Sequence, residues 1–237
     1  CLMGKSGTRA AYTHSMNDIV PAILPGTFDE LSMKLGTLRG TTKCVQIDVC
    51  DGMFVPTRTW PMNPSDRTQL GKLVRGEEGL PYWSEFRFEV DLMVHSPEKH
   101  LMAWIAMGVA RAVVHLESRH DWTAVKEVVG SSLELGLAVD LTPTYEKLSA
   151  YVPCVDYVQV MGIAKLGVQG SELDERVYTL IQKIRADFPD VTIQVDGGVT
   201  LDNARTLLDA GADRRVVGSK IVNAENPKEA LHTFQNL

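Results

Sequence analysis

The stretch VQIDVCDGMFVP, residues 45–56, alternates apolar and polar side chains over its first positions and then breaks at Asp51-Gly52. Alternation with period two marks a strand whose two faces meet different surroundings. Val45, Ile47 and Val49 form an apolar face, and Cys44, Gln46, Asp48 and Cys50 form the other. The apolar face suits packing against helices. The other face then points into an interior that must accommodate an amide and a carboxylate.

Seven further runs have the length and composition of strands: IVPAIL (19–24), FRFEVDLMV (86–94), RAVVHLE (111–117), LGLAVD (135–140), DYVQVM (156–161), VTIQVD (191–196) and RRVVGS (214–219). Amphipathic stretches separate them. One, ELDERVYTLIQKIRADF, places Val177, Leu180, Ile181 and Ile184 at helical spacing. Pro97, Thr200 and Pro227 sit where helices start, and Gly211 where one ends. Eight strands alternating with helices predict an α/β protein with a single (β/α)8 TIM barrel over residues 16–237. An open doubly wound sheet is the alternative, and the GxGxxG turn that would favour it is missing. Residues 58–85 read as a long connection after the second strand. Residues 1–15 read as a disordered extension or expression remnant ahead of Met16.

The chain has 237 residues and a net charge of −6, with no basic stripe, which argues against nucleic acid as a partner. It has no apolar run long enough to cross a membrane. Four cysteines without CxxC spacing point to a reducing cytoplasm.

The same alternation sends Arg87, Glu89, Asp91 and Met93 of strand three inward, with His115 and Glu117 on one face of strand four and Gln194 and Asp196 on one face of strand seven. Asp48, Asp91, Glu117 and Asp196 fall toward the C-terminal ends of their strands, the functional mouth of such a barrel. Carboxylates gathered there must share protons, pair with Arg87 or His115, or surround a cation. Arg87, Glu89 and His115 are expected to form a structural network deeper in the barrel.

From Pro21 to the C-terminus the sequence resembles the ribulose-phosphate 3-epimerase family. The resemblance rests on VPAILPGTFDEL, VQIDVCDGMFVP, VDLMVHSPEKHL, VVHLES, VQVMGIAKLGVQG, VDGGVT and GADRRVVGSKIV, which occur in family order. It implies interconversion of D-ribulose 5-phosphate and D-xylulose 5-phosphate, a pentose phosphate pathway step, through an enediolate. Asp48 and Asp196 match the acid/base pair. Met93 and Met161 match thioethers lining the cavity, and Cys50 takes the place of a third. Ala22 replaces a serine that touches substrate, and His115 is a further cavity position. A homo-oligomer is also implied, and no organic cofactor.

The resemblance places two histidines and two aspartates around a divalent metal. Here Gln46 and Asp91 stand at the histidine positions. A ligand set of Gln46, Asp48, Asp91 and Asp196 offers oxygen alone, which suits Mg²⁺ or Mn²⁺ better than Zn²⁺ or iron. Without a metal, Lys165 and Lys220 are the available cations. The family grips phosphate with backbone N–H groups, matched by Gly197-Gly198 and Gly218-Ser219 and, less well in register, by Gly167 and Gly170. Close approach of a phosphate to the backbone is what glycine allows.

Two other functions stay open. Related barrels that decarboxylate keto sugar phosphates or make hexulose phosphate carry Asp-x-Lys-x-x-Asp on strand three, but Met93 replaces that lysine. The other is a sugar-phosphate-binding barrel that no longer epimerises.

Overall fold

The computed structural model describes residues 18–142, 145–168 and 170–237, so the extension expected over residues 1–15 lies outside the described residues. Eight strands close into a barrel in sequence order. They are β1 (Asp18–Ile23), β2 (Cys44–Cys50), β3 (Arg87–Met93), β4 (Arg111–His115), β5 (Glu134–Val139), β6 (Tyr157–Met161), β7 (Thr192–Asp196) and β8 (Arg214–Val217). Each neighbouring pair is parallel, and β1 closes on β8 with Asp18 opposite Arg214. Closure leaves no exposed sheet edge.

The helices wrap the outside: α1 (Phe28–Leu38), α2 (Arg67–Val74), α3 (Glu98–Ala106), α4 (Trp122–Val129), α5 (Tyr145–Tyr151), α6 (Arg176–Asp187), α7 (Leu201–Ala210), α8 (Ser219–Val222) and α9 (Pro227–Gln235). Their boundaries follow local chemistry. The Thr27 hydroxyl accepts from Glu30 N at the start of α1, and Asp121 accepts from Thr123 N and Ala124 N at the start of α4. Thr200 and Asn203 form a reciprocal capping box on α7, which ends at Gly211 in the left-handed conformation. In α6, Val177, Ile181 and Ile184 are fully buried while Leu180 packs at the edge of the core.

Val45, Ile47 and Val49 join the continuous apolar shell between sheet and helices, as the alternation predicts. Val113, Ala138, Tyr157 and Met161 form a separate cluster, on the other face of their strands. The 58–85 connection contains a short helix, α2, that its sequence hardly signals. Gly71 interrupts α2 and Leu73 is its only fully buried residue, so the amphipathic pattern is weak. The connection is anchored instead by Trp60, fully buried against Phe28 and Trp104 with ring centroids 5.2 and 5.8 Å away.

Large and small side chains alternate across the barrel. Tyr157 on β6 lies opposite Gly136 on β5, and a Cβ at residue 136 would sit 2.4 Å from the Tyr157 ring. The ring is fully buried and has nowhere to turn. Gly136→Ala is therefore expected to destabilise the fold by about 1–3 kcal/mol or more, measured by urea unfolding. Gly136→Ala combined with Tyr157→Phe should recover little, because the clash involves ring carbons as well as the hydroxyl.

Candidate active site at the barrel mouth

One cleft at the C-terminal mouth collects Ala22, Asp48, Met93, Met161 and Asp196 from strand ends. Gly167 and Gly170 reach it from the loop after β6, Gly197 and Gly198 from the turn after β7, and Gly218 and Ser219 from the start of α8. Gln46, Cys50, Asp91 and His115 are not part of its wall and are fully buried. Cys50 packs with Met93 and Val55, its Sγ 4.0 Å from the Met93 sulfur.

Hydrogen bonds give these side chains a definite direction. Gln46 donates from Nε2 to Asp48 Oδ1 at 2.9 Å and to Asp196 Oδ2 at 2.7 Å, so one amide bridges both carboxylates. Gln159 donates to Asp91 Oδ2 at 3.0 Å and, more weakly, to Asp196 Oδ2 at 3.4 Å. His115 Nε2 holds the other Asp91 oxygen at 2.8 Å. Below them Gln194 donates to Glu89 Oε1 at 2.6 Å, to Gln159 Oε1 at 2.8 Å and toward Gln46 Oε1 at 3.4 Å. The amide oxygens of Gln46 and Gln159 thus face Gln194, and their N–H groups face the aspartates. Gln46 turns a donor, not an oxygen, toward the carboxylates.

Asp48, Asp91 and Asp196 each offer an oxygen within 4.8 Å of the others. Burial pushes the Asp48 carboxyl up, the Asp91 charge adds to this and the Gln46 hydrogen bond opposes it, with the balance at about 8. Burial also lifts Asp196 well above the ordinary range, helped by the charges of Asp48 and Asp91. His115 would be made less basic by its burial, but the charge and hydrogen bond of Asp91 outweigh that and raise it. Two neighbouring carboxyls, both raised, are a pair that holds on to protons near neutrality.

The turns around the cleft are set by close backbone approach. A Cβ at Gly162 would lie 2.4 Å from Gly197 O, and one at Gly198 would lie 2.6 Å from Leu173 Cα. Gly197 and Gly198 both take positive φ, 95° and 73°, which a side chain would strain. Gly170 approaches Ser219, so the β6 and β8 loops meet over the cleft. The Thr57 hydroxyl donates to Gly167 O at 2.6 Å, which ties the β6 loop to the β2 loop.

Three sequence-based expectations differ from what the structure places together. Glu89 does not pair with Arg87. It lies opposite Arg111 in the β3–β4 register and pairs with its Nε at 2.8 Å. Arg87, at the first position of β3, meets Glu134 at 3.7 Å on the barrel floor instead. Glu117 is outside the aspartate trio and accepts from Asp140 N at 3.1 Å. Lys165 is exposed and off the cleft, whereas Lys220 lines it. Gln159 was missed as a partner of the aspartates, although alternation in DYVQVM puts it on the same face as Met161.

Fold and site define a (β/α)8 enzyme with its polar constellation at the C-terminal mouth. The ribulose-phosphate 3 epimerase family model matches residues 18–222, and the chain belongs to that family, an isomerase class. It is similar to the ribulose-phosphate 3-epimerase of Schizosaccharomyces pombe, 26% identical over 227 residues and 92% of each chain. The Bacillus subtilis enzyme of the same name is 25% identical over 223 residues, 91% of this chain and 97% of that one. In architecture the chain is similar to KGPDC from Streptococcus mutans, with a TM-score of 0.67 at 11% identity over 94% of this chain and 97% of that one. That likeness concerns the fold alone.

The raised carboxyl of Asp48 makes stability depend on pH in a definite direction. Its folded value, about 8, exceeds the unfolded value near 4. The stability it contributes is therefore complete below about pH 4 and lost as pH rises toward 8. Asp48→Asn keeps an acceptor for Gln46 and removes the proton linkage. In chelator-treated protein the melting temperature of Asp48→Asn should match the parent near pH 4 and exceed it progressively up to pH 8. A constant difference across that range would contradict this.

Proposed function

We propose that the protein interconverts D-ribulose 5-phosphate and D-xylulose 5-phosphate, or a closely related ketose phosphate pair, by moving the proton on C3. The observation that carries this reading is a pair of carboxyls, Asp48 and Asp196, bridged by one amide and placed in the same cleft as the glycine turns. One carboxylate removes the C3 proton, and the other, protonated, supplies a proton from the opposite side of the carbon. Burial and mutual charge favour one proton shared between two groups, which is the state such a step needs. Gln46 keeps both carboxyls in place.

Backbone N–H groups at Gly197-Gly198 and Gly218-Ser219, with Gly167 and Gly170 on the facing loop, hold the phosphate in this reading. Lys220 adds charge at the rim. The cavity is about 80 Å³, and Gly167 on its wall is tied to the β2 loop by the Thr57 hydroxyl.

The family uses a divalent metal, and the aspartate trio fits a hard cation, because its donors are all oxygen. Asp48, Asp91 and Asp196 would hold Mg²⁺ or Mn²⁺ in preference to Zn²⁺ or iron. Such an ion supplies polarisation of the carbonyl beside C3. Met93 lines the cleft where the decarboxylating barrels carry lysine, so that alternative gains no support.

The test is to incubate metal-stripped protein with ribulose 5-phosphate in D₂O, follow the C3 proton by NMR, and repeat with Mg²⁺, Mn²⁺ and Zn²⁺. Exchange and xylulose 5-phosphate are expected, fastest with Mg²⁺ or Mn²⁺. Asp48→Asn and Asp196→Asn should each slow it by about 10²–10⁴-fold. Phosphate-ester binding without exchange under any metal would overturn the reading in favour of a binding barrel.

A further inference from the structure

The opposite end of the barrel holds a second cavity, of about 580 Å³. That size falls in the range of small-molecule sites, roughly 300–1,000 Å³. Lys43, Arg87, Arg111 and Arg214 line it, against the acidic side chains Asp18 and Glu134. In a chain of net charge −6 this is a local reversal of sign.

Two of these cations are deeply buried, Arg111 at 8% exposure and Arg214 at 2%. They share one buried carboxylate, Glu89, at 2.8 Å from Arg111 and 3.8 Å from Arg214. Arg111 also donates from Nη2 to Cys44 Sγ. Arg214 reaches Gln194 Oε1 at 3.3 Å and lies over the Tyr157 ring at 4.6 Å, but its buried Nε has no partner among the described residues. Lys43, Arg87, Arg111 and Arg214 meet three carboxylates here, Asp18, Glu89 and Glu134, so positive charge stays in excess, which is costly where two of the guanidiniums are buried.

We infer that the barrel floor binds a compact anion bearing phosphate or carboxylate groups. Guanidinium forks recognise such oxyanions through paired charge-assisted hydrogen bonds. Lys43 and Arg87, nearer the rim, draw the anion toward the two buried arginines. This site uses side-chain cations, whereas the mouth uses backbone turns, so the two can be separated by mutation. The inference does not depend on the epimerase reading.

Inorganic pyrophosphate is a suitable probe, titrated calorimetrically into metal-stripped protein. Ser219→Asp places negative charge in the mouth turn and should abolish binding there, leaving the floor. In that background, adding Lys43→Gln and Arg87→Gln should weaken the remaining binding by about tenfold or more. The inference is overturned if Ser219→Asp protein binds no pyrophosphate, or binds it equally well without Lys43 and Arg87.

Discussion

Glu89 has no exposed surface, and a carboxylate in that position must be satisfied by its neighbours or the barrel will not close around it. Arg111, Tyr157 and Gln194 do this, from three other strands. Meeting that requirement fixes more than one residue. Gln194 spends its two amide hydrogens on Glu89 and Gln159, and that same Nε2–H edge faces the Gln46 oxygen at 3.4 Å. Those two side chains must then present N–H groups upward. The electrostatic character of the mouth is thus decided a full layer below it, by a residue that touches nothing in the cleft.

This ordering bears on what the side chain at position 46 offers to its neighbours. A histidine has a lone pair to give to an ion, and an amide held by Gln194 gives hydrogens. Between Asp48 and Asp196 the chain therefore has a donor that ties two carboxyls together. Asp48, Asp91 and Asp196 each turn an oxygen toward one another, and Gln46 turns its N–H group toward two of them. Asp91 is also held from two sides, by His115 and Gln159.

The barrel was legible because its strands alternate so regularly. Val45, Ile47 and Val49 announce an outer face, and the polar residues between them announce an inner one. Strand ends bearing Asp48 and Asp196, followed by DGG and GS, were enough to locate the mouth. What a single strand cannot show is its partner across the sheet. Alternation told that Glu89 points inward but not that the β3–β4 register sets Arg111, and not Arg87, beside it. The direction of Gln46 depends on Gln194, 148 residues away in sequence, and no local pattern carries that. Helix α2 escaped notice for a different reason, since it buries so little that its period is faint.

The turns after β6 and β7 occupy nearly the same space. Gly162 leaves just enough room for the Gly197 carbonyl, and Gly162 N donates to Asp196 O at 2.7 Å. Neither turn can acquire a side chain without the other being rebuilt. The two turns therefore stand or fall together as one wall of the cleft. The long segment between β2 and β3 is held by Trp60 and otherwise carries few buried residues. No described residue of that segment lines the cleft, so a change in it leaves the turns at Gly162, Gly197 and Gly198 untouched.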